Sequence, residues 1–425
     1  MTAYRNVASL ILTSMLLQAA AGLLSVMTPL SLSAMGADAF GVGLVAAVFS
    51  AGFMLGAWAS PDLGRTIGHI RAYSAAAAIY VAGILAMPLF LDPHYWGVLR
   101  FAQGAASAVM FTAAESWIAD STPKAQRGAV MGMYQVLIKL AMSLGPLLVM
   151  DMAPDQAEPY IVAGILMALA IVPLCATRRA QPVLPSKGSL TWKSVSIVAP
   201  SAMIGAMVAG FANGGVMAQL PLFAAELRPD DAQSAAATLA IAAWMGGVVT
   251  QWPAGLISDR MDRRLVVAGL ALLAGVAAII LFVTGGRLGW AATVSLAALW
   301  GGGSMSFYAV SAAHATDRVE LDQIAEVMSA MMFGWAVASV LGPVASGIVA
   351  SSPLGQPGVF LLAAVTYAGL VAANIGRLAM RRRPTEEERT PFAPVLATSV
   401  VHGEVEQQIA EEKQRQTDSA ENIQP

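Results

Sequence analysis

Leu265-Val266-Val267-Ala268-Gly269-Leu270-Ala271-Leu272-Leu273-Ala274-Gly275-Val276-Ala277-Ala278-Ile279-Ile280-Leu281-Phe282-Val283-Thr284 is an unbroken run without a charged or amide side chain. Wound as an α-helix at ~1.5 Å per residue it is ~30 Å long, the depth of a bilayer's hydrocarbon core. Arg263-Arg264 precede it and Gly285-Gly286-Arg287 follow it, so basic residues and turn formers end it on both sides. One such run could be the buried helix of a large soluble protein. Laid along the rest of the chain, however, the same ruler marks twelve spans: 7–32, 40–60, 72–91, 96–119, 128–150, 158–177, 195–224, 232–256, 265–284, 288–314, 323–350 and 357–379. The expected fold class is therefore an all-α integral membrane protein.

Composition agrees. Of 425 residues, 57% are hydrophobic and 12% charged, against about 25% charged in soluble domains, too few to cover a water-facing surface. A net charge of −2 excludes a strongly basic nucleic-acid binder. Cys175, the one cysteine, excludes an intrachain disulfide, a cysteine-rich zinc site and a thiolate-ligated cluster. The N-terminal apolar run after Arg5 is ~25 residues, too long for a signal-peptide core, and reads as the first span. Turn formers separate spans at Asp62-Leu63-Gly64, Asp92-Pro93, Pro154-Asp155, Pro229-Asp230-Asp231 and Ser352-Pro353.

The polar stretch 178–194 divides the spans six and six. The expected organisation is a bundle over 1–177, a cytoplasmic linker over 178–194, a second bundle over 195–380, and a disordered acidic tail over 381–425, which carries Glu386-Glu387-Glu388 and Glu411-Glu412. Basic residues set the orientation. With the N-terminus inside, the inner loops hold Arg65, Arg71, Lys124, Arg127, Arg178, Arg179, Lys187, Lys193, Arg260, Arg263, Arg264, Arg318 and Arg377, while the outer loops hold only Arg228 and Arg287. Both termini are expected to be cytoplasmic.

The halves echo each other. Leu144-Gly145-Pro146-Leu147 returns as Leu341-Gly342-Pro343-Val344, and Pro29-Leu30 as Pro221-Leu222; two halves in the same orientation imply a parallel repeat about an axis along the membrane normal. The loop Gly255-Leu256-Ile257-Ser258-Asp259-Arg260-Met261-Asp262-Arg263-Arg264 resembles the signature of the major facilitator superfamily (MFS) between helices 8 and 9, with Asp262 in place of the usual glycine. Its first-half counterpart keeps Gly68 and has Arg65 where the family has aspartate. Arg100-Phe101-Ala102-Gln103-Gly104 is similar to the family's helix-4 motif, and Gly145-Pro146 to a reduced antiporter motif of helix 5. Glu115-Ser116-Trp117 and His314-Ala315-Thr316-Asp317-Arg318 resemble a bacterial branch with mostly unassigned substrates. The resemblance covers roughly 5–380. It implies a monomeric secondary transporter of a small organic solute, in the inner membrane of a bacterium, rocking two bundles around a central cavity. It also implies proton coupling, with a lean to efflux while import of a nutrient stays open, and Arg100 as a gating residue, for which a fixed salt bridge within the bundle is the alternative. Neither a cofactor nor a metal is expected; the proton gradient would supply the energy.

The residues also carry expectations of their own. A charge inside a span is costly, which makes each one a site candidate. Lys139, ~11 residues into the fifth span, falls near the midplane and should face a wet cavity or a carboxylate, attracting an anionic solute or exchanging a proton. Glu115 falls ~10 Å from that depth, opposite about residue 132, so a direct Lys139–Glu115 pair is not expected. His314 is a possible titrating group. Gln18, Gln135, Asn213, Gln219, Trp244, Trp300, Tyr308 and Trp335 are further cavity candidates. Gly145-Pro146 and Gly342-Pro343 should kink their helices. At the inner face the resemblance implies that Asp259, in the loop that also carries Arg260, Arg263 and Arg264, latches onto the start of the fifth span, which holds Lys124 and Arg127. In the first half the loop is basic (Arg65, His69, Arg71) and would meet the acidic start of the eleventh span (Glu320, Asp322, Glu326). Such latches would hold an outward-open state shut on the inside.

Alternatives of other kinds stay open. Met203 and Met207, and Met328 and Met332, put paired thioethers on one helix face, as a copper importer would use, though methionine is also a gap-filler. A non-transporting receptor or assembly factor could keep the fold. No Gly-x-x-x-x-Gly-Lys-[Ser/Thr], His-Glu-x-x-His or Gly-x-Ser-x-Gly sequence occurs, so ATP-driven pumping and hydrolytic chemistry lack a motif.

Overall fold

The computed structural model describes residues 2–175, 199–319 and 323–380. The expected linker (178–194), the expected tail (381–425), Glu320 and Asp322 lie outside the described residues, as does the Lys124 side chain.

Among the described residues, fourteen α-helical pieces make twelve crossings. In the first half they are α1 Thr2–Ala34, α2 Ala39–Ile67, α3 His69–Ala86, α4 Pro93–Asp120, α5 Lys124–Leu144 and α6 Glu158–Cys175. The seventh crossing is α7 Pro200–Val208 and α8 Gly214–Leu227, joined by a π-helical turn over Ala209–Asn213. Then come α9 Ala232–Arg260, α10 Arg263–Thr284, the tenth crossing as α11 Trp290–Ser304 and α12 Phe307–Thr316, α13 Ile324–Ala350 and α14 Gly358–Met380. Nine of these segments are long and apolar enough to span a bilayer by composition alone, and α6 is a shorter apolar helix. The other two crossings are α4, which carries Arg100 and Glu115, and the interrupted α11–α12 pair. Asp38 and Asp92 cap α2 and α4, accepting from the amides of Gly41 and Tyr95 at 2.8 Å each, which satisfies donors that a helix start leaves open.

Lipid tails are as apolar as leucine, so helices in a membrane associate through close packing at small residues. The α2–α4 seam is of this kind: a Cβ at Gly52, Gly56 or Gly104 would strike the backbone carbonyl of Phe101, Ala105 or Phe49. In the second half Gly246 and Gly301 bring α9 and α11 together in the same way, against Ala298 and Ala243.

Several boundaries depart from the sequence expectation. Helix α2 runs through Pro61-Asp62-Leu63-Gly64 to Ile67 instead of ending near 60, aided by the Thr66 hydroxyl donating to the Asp62 carbonyl and by the Arg65–Asp62 pair at 3.4 Å. Pro253 takes the matching place inside α9. Of the two expected kinks, only the first changes the helix: α5 gives way at Gly145-Pro146 to a tighter 3-10 turn over Gly145–Val149, while α13 continues through Gly342-Pro343. Interruptions appear instead at Ala209–Asn213 and at Met305-Ser306, after Gly301-Gly302-Gly303, whose glycines have poor helix propensity.

Candidate functional site

A cavity of about 310 Å³ lies where the halves meet. Gln18 and Ala21 of α1, Phe49, Ser50 and Phe53 of α2, Ser107 and Phe111 of α4, and Lys139 and Met142 of α5 form the first half's wall. The second half supplies Asn213 and Met217 of the seventh crossing, Trp244 of α9, Met305 and Tyr308 at the tenth crossing, and Trp335, Ala336 and Ser339 of α13. Phe53 and Trp335 meet edge to face across the boundary, centroids 6.3 Å apart.

Among the described residues Lys139 is the one charged residue on this wall, and it is 6% exposed. Its ammonium donates to Oε1 of Gln251 in α9, across the half boundary, and no carboxylate among the described residues lies in ion-pair range of it. Gln251 was missed in the sequence, although it is the lone amide of an apolar run, the feature that marked Gln18. Asn213 ends the π-helical turn and is held twice: it donates to the Ser304 carbonyl at 2.8 Å and accepts from the Tyr367 hydroxyl at 3.1 Å. The extra residue of a π-turn re-aims side chains, and such turns recur at functional sites. The backbone there is pressed onto α13, since a Cβ at Gly210 would strike the Trp335 carbonyl and one at Gly342 the Phe211 carbonyl.

Of the sequence candidates, Gln18, Lys139, Asn213, Trp244, Tyr308 and Trp335 reach the wall; the others do not. Gln135, one turn before Lys139, is buried with its Oε1 unbonded, and Trp300 is fully buried behind the wall. Arg100 lies one layer out, its guanidinium 4.3 Å from the centroid of the Phe49 ring and donating to Gln103 at 2.9 Å; it is not on the wall itself but meets Phe49, which is. Glu115 is 1% exposed and interacts with Tyr134 of α5. Gln219 lies at the end of the molecule rather than in the cavity, donating to the Ala39 carbonyl at 2.8 Å. His314 is buried in a small cleft with Arg264, Arg318 and Arg377 beneath the start of α7, remote from the central cavity.

The paired methionines are core filler: Met203 and Met328 are buried, and Met207 and Met332 pack against the core. The thioethers on the cavity wall are Met142, Met217 and Met305.

At the end bearing the α1–α2 and α8–α9 turns, the halves touch backbone to backbone. A Cβ at Gly43 would strike the Pro343 carbonyl, and one at Gly347 would lie 2.7 Å from the Ala39 oxygen and 2.9 Å from Phe40 Cα. Phe40 N donates to Ser351 Oγ at 3.1 Å, and Gln356 donates to Gln219 at 3.4 Å. At the opposite end, two of the expected latch arginines are held inside their own half. Arg263 pairs with Asp317 at 2.8 Å and with Asp259 at 3.7 Å; Arg264 pairs with Asp262 at 2.8 Å and donates to the Arg377 carbonyl at 2.9 Å. Arg263 and Arg264 are 2% and 1% exposed. Asp262 explains part of this: at φ −63° it caps α10 with no need of glycine and draws Arg264 inward, whereas Gly68 at the matching place has φ +83°. Burial alone would raise the Asp262 carboxyl, but the hydrogen bonds from Arg264 outweigh it and hold it below the usual carboxylate range. Arg71 and Arg260 are exposed, and Arg127 is half-buried.

Comparison with known proteins places this geometry. A transporter of Enterobacter sp. strain 638, described as uncharacterised and MFS-type, is 26% identical over 400 residues, covering 92% of this chain and 98% of that one. The nucleoside transporter NupG superposes with a TM-score of 0.69 at 12% identity, over 88% of this chain and 98% of its own. The fucose:proton symporter FucP of E. coli superposes at 0.55 and 15% identity, over 89% and 99%. The sequence profile described as Major Facilitator Superfamily matches residues 10–317 and again 202–410. Twelve crossings in two six-helix bundles, a shared cavity between them and a profile match to most of the chain lead to one assignment: this protein is a membrane transporter of the major facilitator superfamily.

Proposed function

We propose that this chain is a secondary active transporter that moves a small organic solute across the cytoplasmic membrane by alternating access, driven by the proton gradient. The observation that carries the reading is the cavity between two repeated bundles that are locked together at one end. With the basic loops inside, the locked end is the outer one, and the solute reaches Lys139 from the cytoplasm. The Arg65 and Asp259 loops are then proposed to close the inner end in the alternate state, so Arg65→Glu should favour the state shown here and Asp322→Lys should partly reverse it.

Proton coupling is supported by Glu115, a buried carboxyl that interacts with Tyr134, where a proton exchange would change the local charge at low dielectric. FucP, of the same fold, is a proton symporter by its own description. The lean to efflux rests on Gly145-Pro146, where the chain turns tightly against α1: a Cβ at Gly145 would strike the Ala19 carbonyl.

Purified protein in liposomes holding a pH-sensitive dye tests the reading. Solutes that pass should move protons, and Glu115→Gln should abolish gradient-driven flux while leaving solute exchange intact. Flux indifferent to an imposed pH gradient would remove proton coupling, and no flux of any solute would remove transport.

A further inference from the structure

We propose that the cavity is built for an amphipathic organic anion, a flat apolar body bearing a single carboxylate, with the carboxylate received by Lys139. The inference rests on the transport reading only in taking the same cavity as the substrate site.

Charge comes first. An ammonium group taken out of water is costly unless an opposite charge and hydrogen-bond acceptors replace the solvent. Lys139 has three donors and one acceptor in the structure, the neutral amide oxygen of Gln251. No carboxylate shares the wall with it. The halves therefore enclose a positive site whose counter-ion no described residue provides, and a bound anion supplies it. The Trp244 indole N–H, on a ring of the same wall, also lacks an acceptor among the described residues. A cation would meet Lys139 with no acid to offset it, and a neutral solute would leave the ammonium uncompensated.

Shape gives the rest. Phe49, Phe53, Phe111, Trp244, Tyr308 and Trp335 share the wall with that charge, so the remainder of the ligand meets mainly ring faces and edges, with the small polar groups of Gln18, Ser50, Ser107, Asn213 and Ser339 between them. Hydrophilic polyols need many polar contacts, whereas one charged end and an aromatic or aliphatic body need few. At 30 Å³ per water, about 310 Å³ holds roughly ten waters, room for a two-ring body.

The test uses three probes of one shape, 2-naphthoate, 2-naphthamide and 2-naphthylmethylammonium, titrated by calorimetry and thermal stabilisation on the full-length protein in detergent. The acid should bind at least tenfold more tightly than the amide, and the ammonium more weakly than both. Lys139→Arg should keep that preference and Lys139→Gln should erase it. Gln251→Glu, which gives Lys139 an internal counter-ion, should also erase it and guards against a Lys139 variant that fails to fold. Trp335→Ala should weaken acid and amide by the same factor. Equal binding of acid and amide, preference for the ammonium, no binding of the acid, or an acid preference surviving Lys139→Gln would each overturn the proposal. Liposome flux separates the two readings. Acid-selective binding without flux overturns transport and leaves the ligand class standing; flux of neutral solutes that is untouched by Lys139→Gln overturns the ligand class and leaves transport standing.

Discussion

Replacing Gly347 by alanine should pry the two halves apart at the end where they now touch. The added Cβ would lie 2.9 Å from Phe40 Cα and 2.7 Å from the Ala39 oxygen. Carbon atoms rest ~3.5–4.0 Å apart, so α13 and α2 must separate by at least ~0.6 Å there, a gap at which neighbouring contacts lose a quarter to a half of their attraction. Neither obstacle is a side chain that can turn aside; both belong to the backbone. Overpacking of this kind costs about 1–3 kcal/mol, and only the state in which the halves touch bears the cost. The equilibrium should move ~5–150-fold toward the state open at this end. Gly43→Ala, against the Pro343 carbonyl, acts on the same seam and should push the same way. The assay is a distance distribution between spin labels at Leu91→Cys and Leu288→Cys, exposed on the two halves, in a Cys175→Ser background. A longer-distance population should grow in Gly347→Ala and dominate in the double variant. Gly269→Ala is the control, because a Cβ there meets nothing within 4 Å. An unchanged distribution in both seam variants, or an equal shift in the control, would refute the reasoning.

Three further outcomes follow from contacts elsewhere. Arg263→Ala leaves the Asp317 carboxylate, with its side chain 1% exposed, without its 2.8 Å partner; breaking a buried pair costs about 3–5 kcal/mol, so thermal unfolding in detergent should fall by many degrees, with Arg263→Lys in between. Because Asp262 is held below its ordinary range, its contribution is present above the unfolded-state value of ~3.9 and disappears as pH falls through the lower folded-state value; the difference in unfolding temperature between wild type and Asp262→Asn should therefore be full at pH 7 and vanish in strong acid. Tyr367→Phe removes the bond to Asn213 that pins the π-helical turn and should cost about 0.5–1.5 kcal/mol, with the Lys139→Gln background changing that cost little if the two act independently.

The crossings were legible because bilayer thickness demands a length and an apolarity that side chains announce one residue at a time. Lys139 was legible for the same reason, since a charge stands out in an apolar run. Gln251 stood out equally and was passed over, and it is the cross-boundary partner of that charge. Harder to see was any feature set by how two helices are turned toward each other. Trp300 and Trp335 look alike in the sequence, both being tryptophans deep in a span, yet one is packed behind the wall and the other lines it. Arg263 and Arg264 read as surface charges in a basic loop, and both are drawn under the loop by Asp317 and Asp262.

Sequence alone settled the membrane, the number of crossings, the repeat of the halves and the presence of a lysine that needs an explanation, because each is a property of local composition measured against a fixed thickness of lipid. Tertiary structure alone decided which of two like glycine–proline pairs alters its helix, which end of the cavity is shut, and that Lys139 meets an amide instead of an acid. Those outcomes depend on the rotation and register of helices distant in the chain, held by glycine seams and a few cross-boundary hydrogen bonds, and no local pattern encodes them.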